Sequence, residues 1–182
     1  MIKSTLKKYG YYILAFALIL VVGIVAGISN STYEATIPTG NSPIEMLCPM
    51  NSCEVLKNYS DTELFYNSTL KQWESHKAVD LTSKESADVL SVLDGKVLDS
   101  SYSYENGYSI TIDHGDGLST VYCSLSSNSD LKKGDTVTRG QKIGEASNSS
   151  ANENLDGNHL HFAVQLNGNS VDPSNYITFE NK

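Results

Sequence analysis

Gly157-Asn158-His159-Leu160-His161-Phe162-Ala163-Val164 is the stretch whose reading decides the fold. Its apolar, β-favouring residues open after Gly157 and run to the turn pair Asn167-Gly168, which is the pattern of a β-strand. Side chains at i and i+2 of a strand share a face. His159 and His161 therefore project together, and Leu160 and Phe162 point the other way, into a core. Two imidazoles on one rigid strand begin a zinc site. Two histidines can also fall together by chance, so the pair needs a third ligand.

That ligand lies upstream, in His76-Lys77-Ala78-Val79-Asp80. The four-residue spacing keeps His76 and Asp80 on one side of an extended segment, and equally of a helix. His76, Asp80 and His161 make a set of two nitrogens and one oxygen with a fourth position open to water. An open position marks a catalytic zinc site rather than a structural one.

Outward from these two motifs the chain reads as short strands. Val89 to Leu93 ends at Asp94-Gly95, a hairpin signal, and Lys96-Val97-Leu98 continues beyond it. Asn106-Gly107 opens the alternating run Tyr108 to Asp113, and His114-Gly115-Asp116-Gly117 turns the chain into Leu118 to Leu125. Two shorter strands flank Arg139-Gly140, and Val171-Asp172-Pro173 with Tyr176-Ile177 closes the region. Glu63 to Ser75 fits either a short strand or a helical turn. Strands with turn signals every few residues predict an all-β antiparallel sandwich or open barrel.

The 182 residues carry 13 Lys and Arg against 21 Asp and Glu. Three lysines, Lys3, Lys7 and Lys8, precede the apolar run described next, which leaves 10 basic and 21 acidic residues, a net of −11, for the remainder. Such a surface repels nucleic acid and anionic lipid, and excludes nucleic acid as a partner. Cys48 and Cys53 are close enough for a small disulfide loop in an oxidising compartment. Cys123 reads as a buried small hydrophobe.

No charged residue occurs from Tyr9 to Tyr33, and Tyr11 to Ile28 is continuously rich in Ile, Leu, Ala, Phe, Val and Gly. About 20 apolar residues suffice to cross a bilayer as a helix. The lysines before them place the N-terminus in the cytoplasm and the rest of the chain outside. The expected organisation is a cytoplasmic head at 1–8, a transmembrane helix at 9–28, an extracytoplasmic tether at 29–62 and a β domain at 63–182. A cleaved signal peptide is the rival; its apolar core is shorter, about 7–15 residues, with a clear small-residue cleavage site.

His-x-x-x-Asp, a β-rich stretch, then His-x-His-Phe resembles the LytM/lysostaphin-type zinc endopeptidases. Further matching phrases are Asp94-Gly95-Lys96-Val97, Ile112-Asp113-His114-Gly115, Leu131 to Val137, Gly140-Gln141-Lys142-Ile143-Gly144 and Val171-Asp172-Pro173. The resemblance implies Zn(2+) held by His76, Asp80 and His161, with His159 as a catalytic residue that handles protons. The family carries a second catalytic His in a Tyr-x-His motif. This chain has Tyr122-Cys123-Ser124 there, so Ser124 stands at the lost His position. A serine cannot carry positive charge, and loss of one oxyanion donor commonly costs about 10²–10³ in rate. Ala78 replaces a glycine common between the first two ligands, and His114 matches a family histidine with no catalytic role.

The head, anchor, tether and polar segment Ala146 to Gly157 are similar to those of the sporulation members of this family. That similarity implies a partly degenerate, membrane-anchored protein of the forespore. Its implied partner is a mother-cell membrane protein of the stage III sporulation protein AH type, met across the intermembrane space. The alternative is an active zinc endopeptidase that cleaves peptidoglycan cross-links. A secreted wall-binding protein without an anchor is a third reading.

Overall fold

The computed structural model describes residues 44–126 and 130–179. The expected head and transmembrane helix, and the first part of the tether, lie outside the described residues. Among the described residues no helix is long and apolar enough to cross a membrane.

The architecture is all-β. Twelve strands are present among the described residues: β1 Glu54–Lys57, β2 Ser60–Asn67, β3 Gln72–His76, β4 Val79–Thr82, β5 Asp88–Leu90, β6 Gly95–Ser103, β7 Gly107–Gly115, β8 Leu118–Leu125, β9 Thr136–Val137, β10 Lys142–Glu145, β11 Leu160–Leu166 and β12 Asn169–Val171. The main sheet runs β1-β4-β11-β8-β7-β6-β9, and β12 also pairs with β11. Two small sheets, β5 with β10 and β2 with β3, complete the fold.

The alternation read from the sequence holds where it matters. Val79 pairs with Phe162, Phe162 with Tyr122 and Tyr122 with Ile110, so one row of large apolar side chains crosses four strands. All four are buried, and Leu81, Leu160 and Val164 join them in the core. Burying one such side chain is worth roughly 1.5–3 kcal/mol. The β7–β8 hairpin turns at Asp116 and Gly117, both with positive φ, at 51° and 77°. That is the backbone a tight two-residue hairpin needs.

Three expectations change. First, of the two readings of Glu63 to Ser75 the strand holds and the helical turn does not, and the strand is doubled into the β2–β3 hairpin. Second, Asp94-Gly95 does not close a hairpin. β5 pairs with β10, whereas β6 pairs with β7 and β9, so the chain passes here from one sheet to another. Gly95 serves close approach instead: a Cβ there would lie 2.5 Å from the Asp113 carbonyl oxygen. Third, residues 44–62 are folded and not a tether. Met46, Met50 and Cys53 are buried in the core, β1 forms the edge of the main sheet, and Cys48 is disulfide-bonded to Cys53. Pro49 and the Asn and Ser residues of this stretch look like linker composition. The few apolar side chains between them supply the burial.

Candidate metal centre

Strand register assembles the site. Lys57 on β1 pairs with Asp80 on β4, Asp80 with His161 on β11, and His161 with Cys123 on β8. Directly opposed residues face the same way, so these four side chains form one row on the face away from the apolar core. His76 ends β3, just before β4 begins, and brings its ring to the same row. His159 precedes β11 and bridges to Ser147. Glu153 enters from the polar loop before β11, next to the 3-10 turn Asn154–Asp156.

The distances are short. His76 Nε2 lies 3.2 Å from Asp80 Oδ1, and His161 Nδ1 lies 2.9 Å from the same oxygen. His161 Nδ1 is also 3.0 Å from Glu153 Oε2, and His159 Nε2 is 3.5 Å from it. Lys57 Nζ meets the outer oxygens: Asp80 Oδ2 at 3.0 Å, Glu153 Oε1 at 3.3 Å and Asp156 Oδ2 at 2.9 Å. His76, Glu153 and His161 line a cleft of about 140 Å³ that Cys123 also touches. His76, Asp80, Glu153 and His159 are buried, and His161 is half-buried.

Hydrogen bonds decide which ring nitrogens are free. His76 Nδ1 is 2.9 Å from the Asn58 carbonyl oxygen and His159 Nδ1 is 2.8 Å from that of Gly157. A carbonyl only accepts, so each Nδ1 carries a proton. In a neutral ring each Nε2 is then a bare lone pair, and both Nε2 atoms are buried with no hydrogen-bond partner. A ring held by its second nitrogen on a carbonyl, with the first exposed to the cluster, is the usual posture of a metal-ligating histidine.

Charge is concentrated here. Burial opposes ionisation of Asp80, but the His161 hydrogen bond and charge, with the His76 ring beside it, overcome it and hold the carboxyl well below the usual range. Burial likewise opposes ionisation of Glu153, and the neighbouring His159 and His161 rings prevail over it and hold the carboxyl low. Burial works against a charge on His161, yet Asp80 and Glu153 raise its pKa to about 10. Burial pushes the Cys123 thiol up to about 12, with the Glu153 and Asp80 charges adding to it.

The donor set suits zinc. Imidazole nitrogen and carboxylate oxygen are ordinary zinc ligands. One ligand atom from each of His76, Asp80, Glu153 and His161 lies within 4.8 Å of the others, and this is the one such group among the described residues.

The site residues expected from sequence divide in two. His76, Asp80, His159 and His161 converge. Ser124 does not point a free hydroxyl at them: its Oγ donates to the Ser147 carbonyl at 2.7 Å. Ser124 sits at φ 60°, outside the extended backbone of its strand. His114 is occupied elsewhere, with Nδ1 at 2.8 Å from the Asp94 carbonyl and Nε2 at 2.7 Å from Thr120 Oγ1. Sequence reasoning missed Lys57 and Glu153. Lys57 fell inside the supposed tether. Glu153 is one acid in a run of Ser and Asn, and no spacing rule ties it to His159.

The family model "Peptidase family M23" matches residues 74–173, more than half of the chain. Stage II sporulation protein Q of Bacillus subtilis is 31% identical over 166 residues, 81% of this chain. The chain spans only 57% of the length of that relative. Among solved structures, the SpoIIQ-SpoIIIAH pore forming complex contains a chain with TM-score 0.64 and 28% identity, covering 75% of this chain and 92% of that one. The catalytic domain of lysostaphin from Staphylococcus simulans aligns with TM-score 0.52 and 25% identity, covering 66% of this chain and 88% of that one.

Proposed function

Because the chain belongs to peptidase family M23, we propose that it is a LytM-type sporulation protein that holds zinc and acts as a docking module rather than a working peptidase. In this reading His76, Asp80 and His161 hold the ion, residues 9–28 anchor the chain in the forespore membrane, and the β domain faces the intermembrane space. A stage III sporulation protein AH-like protein of the mother-cell membrane is the partner. The similarity to stage II sporulation protein Q and to the chain solved in the SpoIIQ-SpoIIIAH complex supports this choice.

One observation carries the non-peptidase half. The family's second catalytic imidazole is replaced by Ser124, and the Ser124 hydroxyl is already spent on the Ser147 carbonyl. Zinc, when bound, would polarise a carbonyl and lower the pKa of water. His159 remains in place to accept a proton at its bare Nε2, 3.5 Å from Glu153 Oε2. No second imidazole stands at position 124 to donate to an oxyanion, and that loss is worth about 10²–10³ in rate.

The test mixes the purified protein with the soluble domain of a stage III sporulation protein AH homologue and measures affinity. A complex is expected, with an on-rate that falls with salt if the partner surface is basic. Absence of binding sinks the docking reading. The second reading, a peptidoglycan endopeptidase, is favoured by the convergence of His76, Asp80, His159 and His161. It requires the wild-type protein with zinc to release muropeptides from peptidoglycan, and it fails if nothing is released.

A further inference from the structure

Glu153 brings a fourth donor to the group formed by His76, Asp80 and His161. Its Oε2 lies between two imidazoles, 3.0 Å from His161 Nδ1 and 3.5 Å from His159 Nε2. Its Oε1 is 3.7 Å from His76 Nε2. Zinc bonds of about 2.0–2.2 Å in a tetrahedron set neighbouring ligand atoms roughly 3.3–3.6 Å apart. The contacts around the centre, 3.2 and 2.9 Å at Asp80 Oδ1 and 3.0 Å at Glu153 Oε2, are already near the edges of such a figure. The carboxylate is buried, and the loop that carries it is tied down by the Ser150 hydroxyl, which donates to the Glu105 carbonyl at 2.7 Å.

The charges agree. Asp80, Glu153 and Asp156 surround one ammonium, Lys57. Three carboxylates less one ammonium leave two negative charges, the complement of one divalent cation beside neutral histidines. Lys57 takes the outer oxygens of Asp80 and Glu153, so the inner oxygens, Oδ1 and Oε2, face the histidines. The buried Nε2 of His76, without a hydrogen-bond partner, completes the set.

We propose that Glu153 is a fourth protein ligand that closes the zinc site, with Lys57 as the positioning residue for both carboxylates. The centre is then a structural N₂O₂ site with no position left for a substrate carbonyl or a water. This inference rests on the zinc reading above and goes beyond it. Restoring a histidine at position 124 alone does not open the site.

The experiment loads the purified protein with Co(2+), follows the visible absorption of the metal, and titrates azide as a probe of an open position. Zinc affinity is measured separately by chelator competition. The wild-type spectrum is expected to stay unchanged by azide. Glu153→Ala is expected to respond to azide and to bind zinc at least about tenfold more weakly, since loss of even an outer partner costs about 10–100-fold. Glu153→Gln, which keeps the side-chain shape, guards against a folding defect and is expected to weaken zinc in the same direction. Wild-type protein whose cobalt spectrum answers azide as Glu153→Ala does overturns the closure and leaves the zinc reading standing. Unchanged zinc affinity in both variants does the same. Wild-type protein that takes up neither metal overturns both.

Discussion

At the β1–β4–β11 corner, the Nε2 atoms of His76 and His159 are buried without hydrogen-bond partners amid Asp80, Glu153 and Lys57. At Ser124, on β8, the polar atoms pair with the chain itself. Ser124 N donates to the Asn106 carbonyl, and the Ser147 N and hydroxyl both donate to the Ser124 carbonyl. His159 N also donates to the Ser147 carbonyl that receives the Ser124 hydroxyl. The two corners are therefore joined through Ser147, yet they are finished differently. The first has a buried lone pair, at His76 Nε2, that a cation would satisfy. The second has closed its hydrogen bonds and needs nothing from outside. In the proposed reading, holding the ion is thereby separated from using it.

The largest expected effect falls on the first corner. His76→Ala removes a direct nitrogen donor, so zinc content of the purified protein should drop from one per chain to near zero. The loss should exceed the roughly 10–100-fold that removal of an outer partner costs. Zinc content equal to wild type would erase the contrast between the corners.

Next is Lys57→Met. It leaves buried carboxylates without their ammonium. Breaking a fully buried pair costs about 3–5 kcal/mol, and the 17% exposure of the lysine side chain calls for a lower figure, about 2–3 kcal/mol. Urea unfolding with a chelator present should show that loss. A variant as stable as wild type without metal would mean that Lys57 does not balance the carboxylates.

Ser124→Ala should cost about 1 kcal/mol, the net worth of one hydrogen bond. Ser124→Gly loses the same bond but relieves the positive φ at this residue, so it should be closer to neutral. If thermal unfolding shows Ser124→Gly to be the worse of the two, backbone strain is not part of this corner.

The smallest effect is expected at Cys123, which sits in the metal row with its thiol pushed up to about 12. Folded protein should resist iodoacetamide at pH 8 over hours and react fully once unfolded in urea, as read by mass spectrometry. Rapid labelling of folded protein would mean that the row is open to solvent.

Much of this was legible in local pattern. The alternation around His159 and His161 put the imidazoles on one face and Leu160 and Phe162 on the other because a strand has a period of two. The turn at Asp116-Gly117 followed from the need for positive φ. Local pattern misled at Asp94-Gly95, where a glycine chosen for close approach to Asp113 looks the same as one chosen for a turn. It also misled at 44–62, where Met46, Met50 and Cys53 are too sparse to mark a core until their partners are in place.

The sequence by itself determined the strand faces around His159 and His161, the turn at Asp116-Gly117, the acidic balance and the donor types that His76, Asp80 and His161 offer. Only the tertiary structure decided that Lys57, Asp80, His161 and Cys123 stand in one row, because that row depends on the register of strands far apart in the chain. Glu153 belongs to no periodic element, so only the folded path of its loop brings its carboxylate to the histidines. Periodicity is set within a few residues by backbone geometry, whereas register and loop path are set by which distant surfaces bury each other.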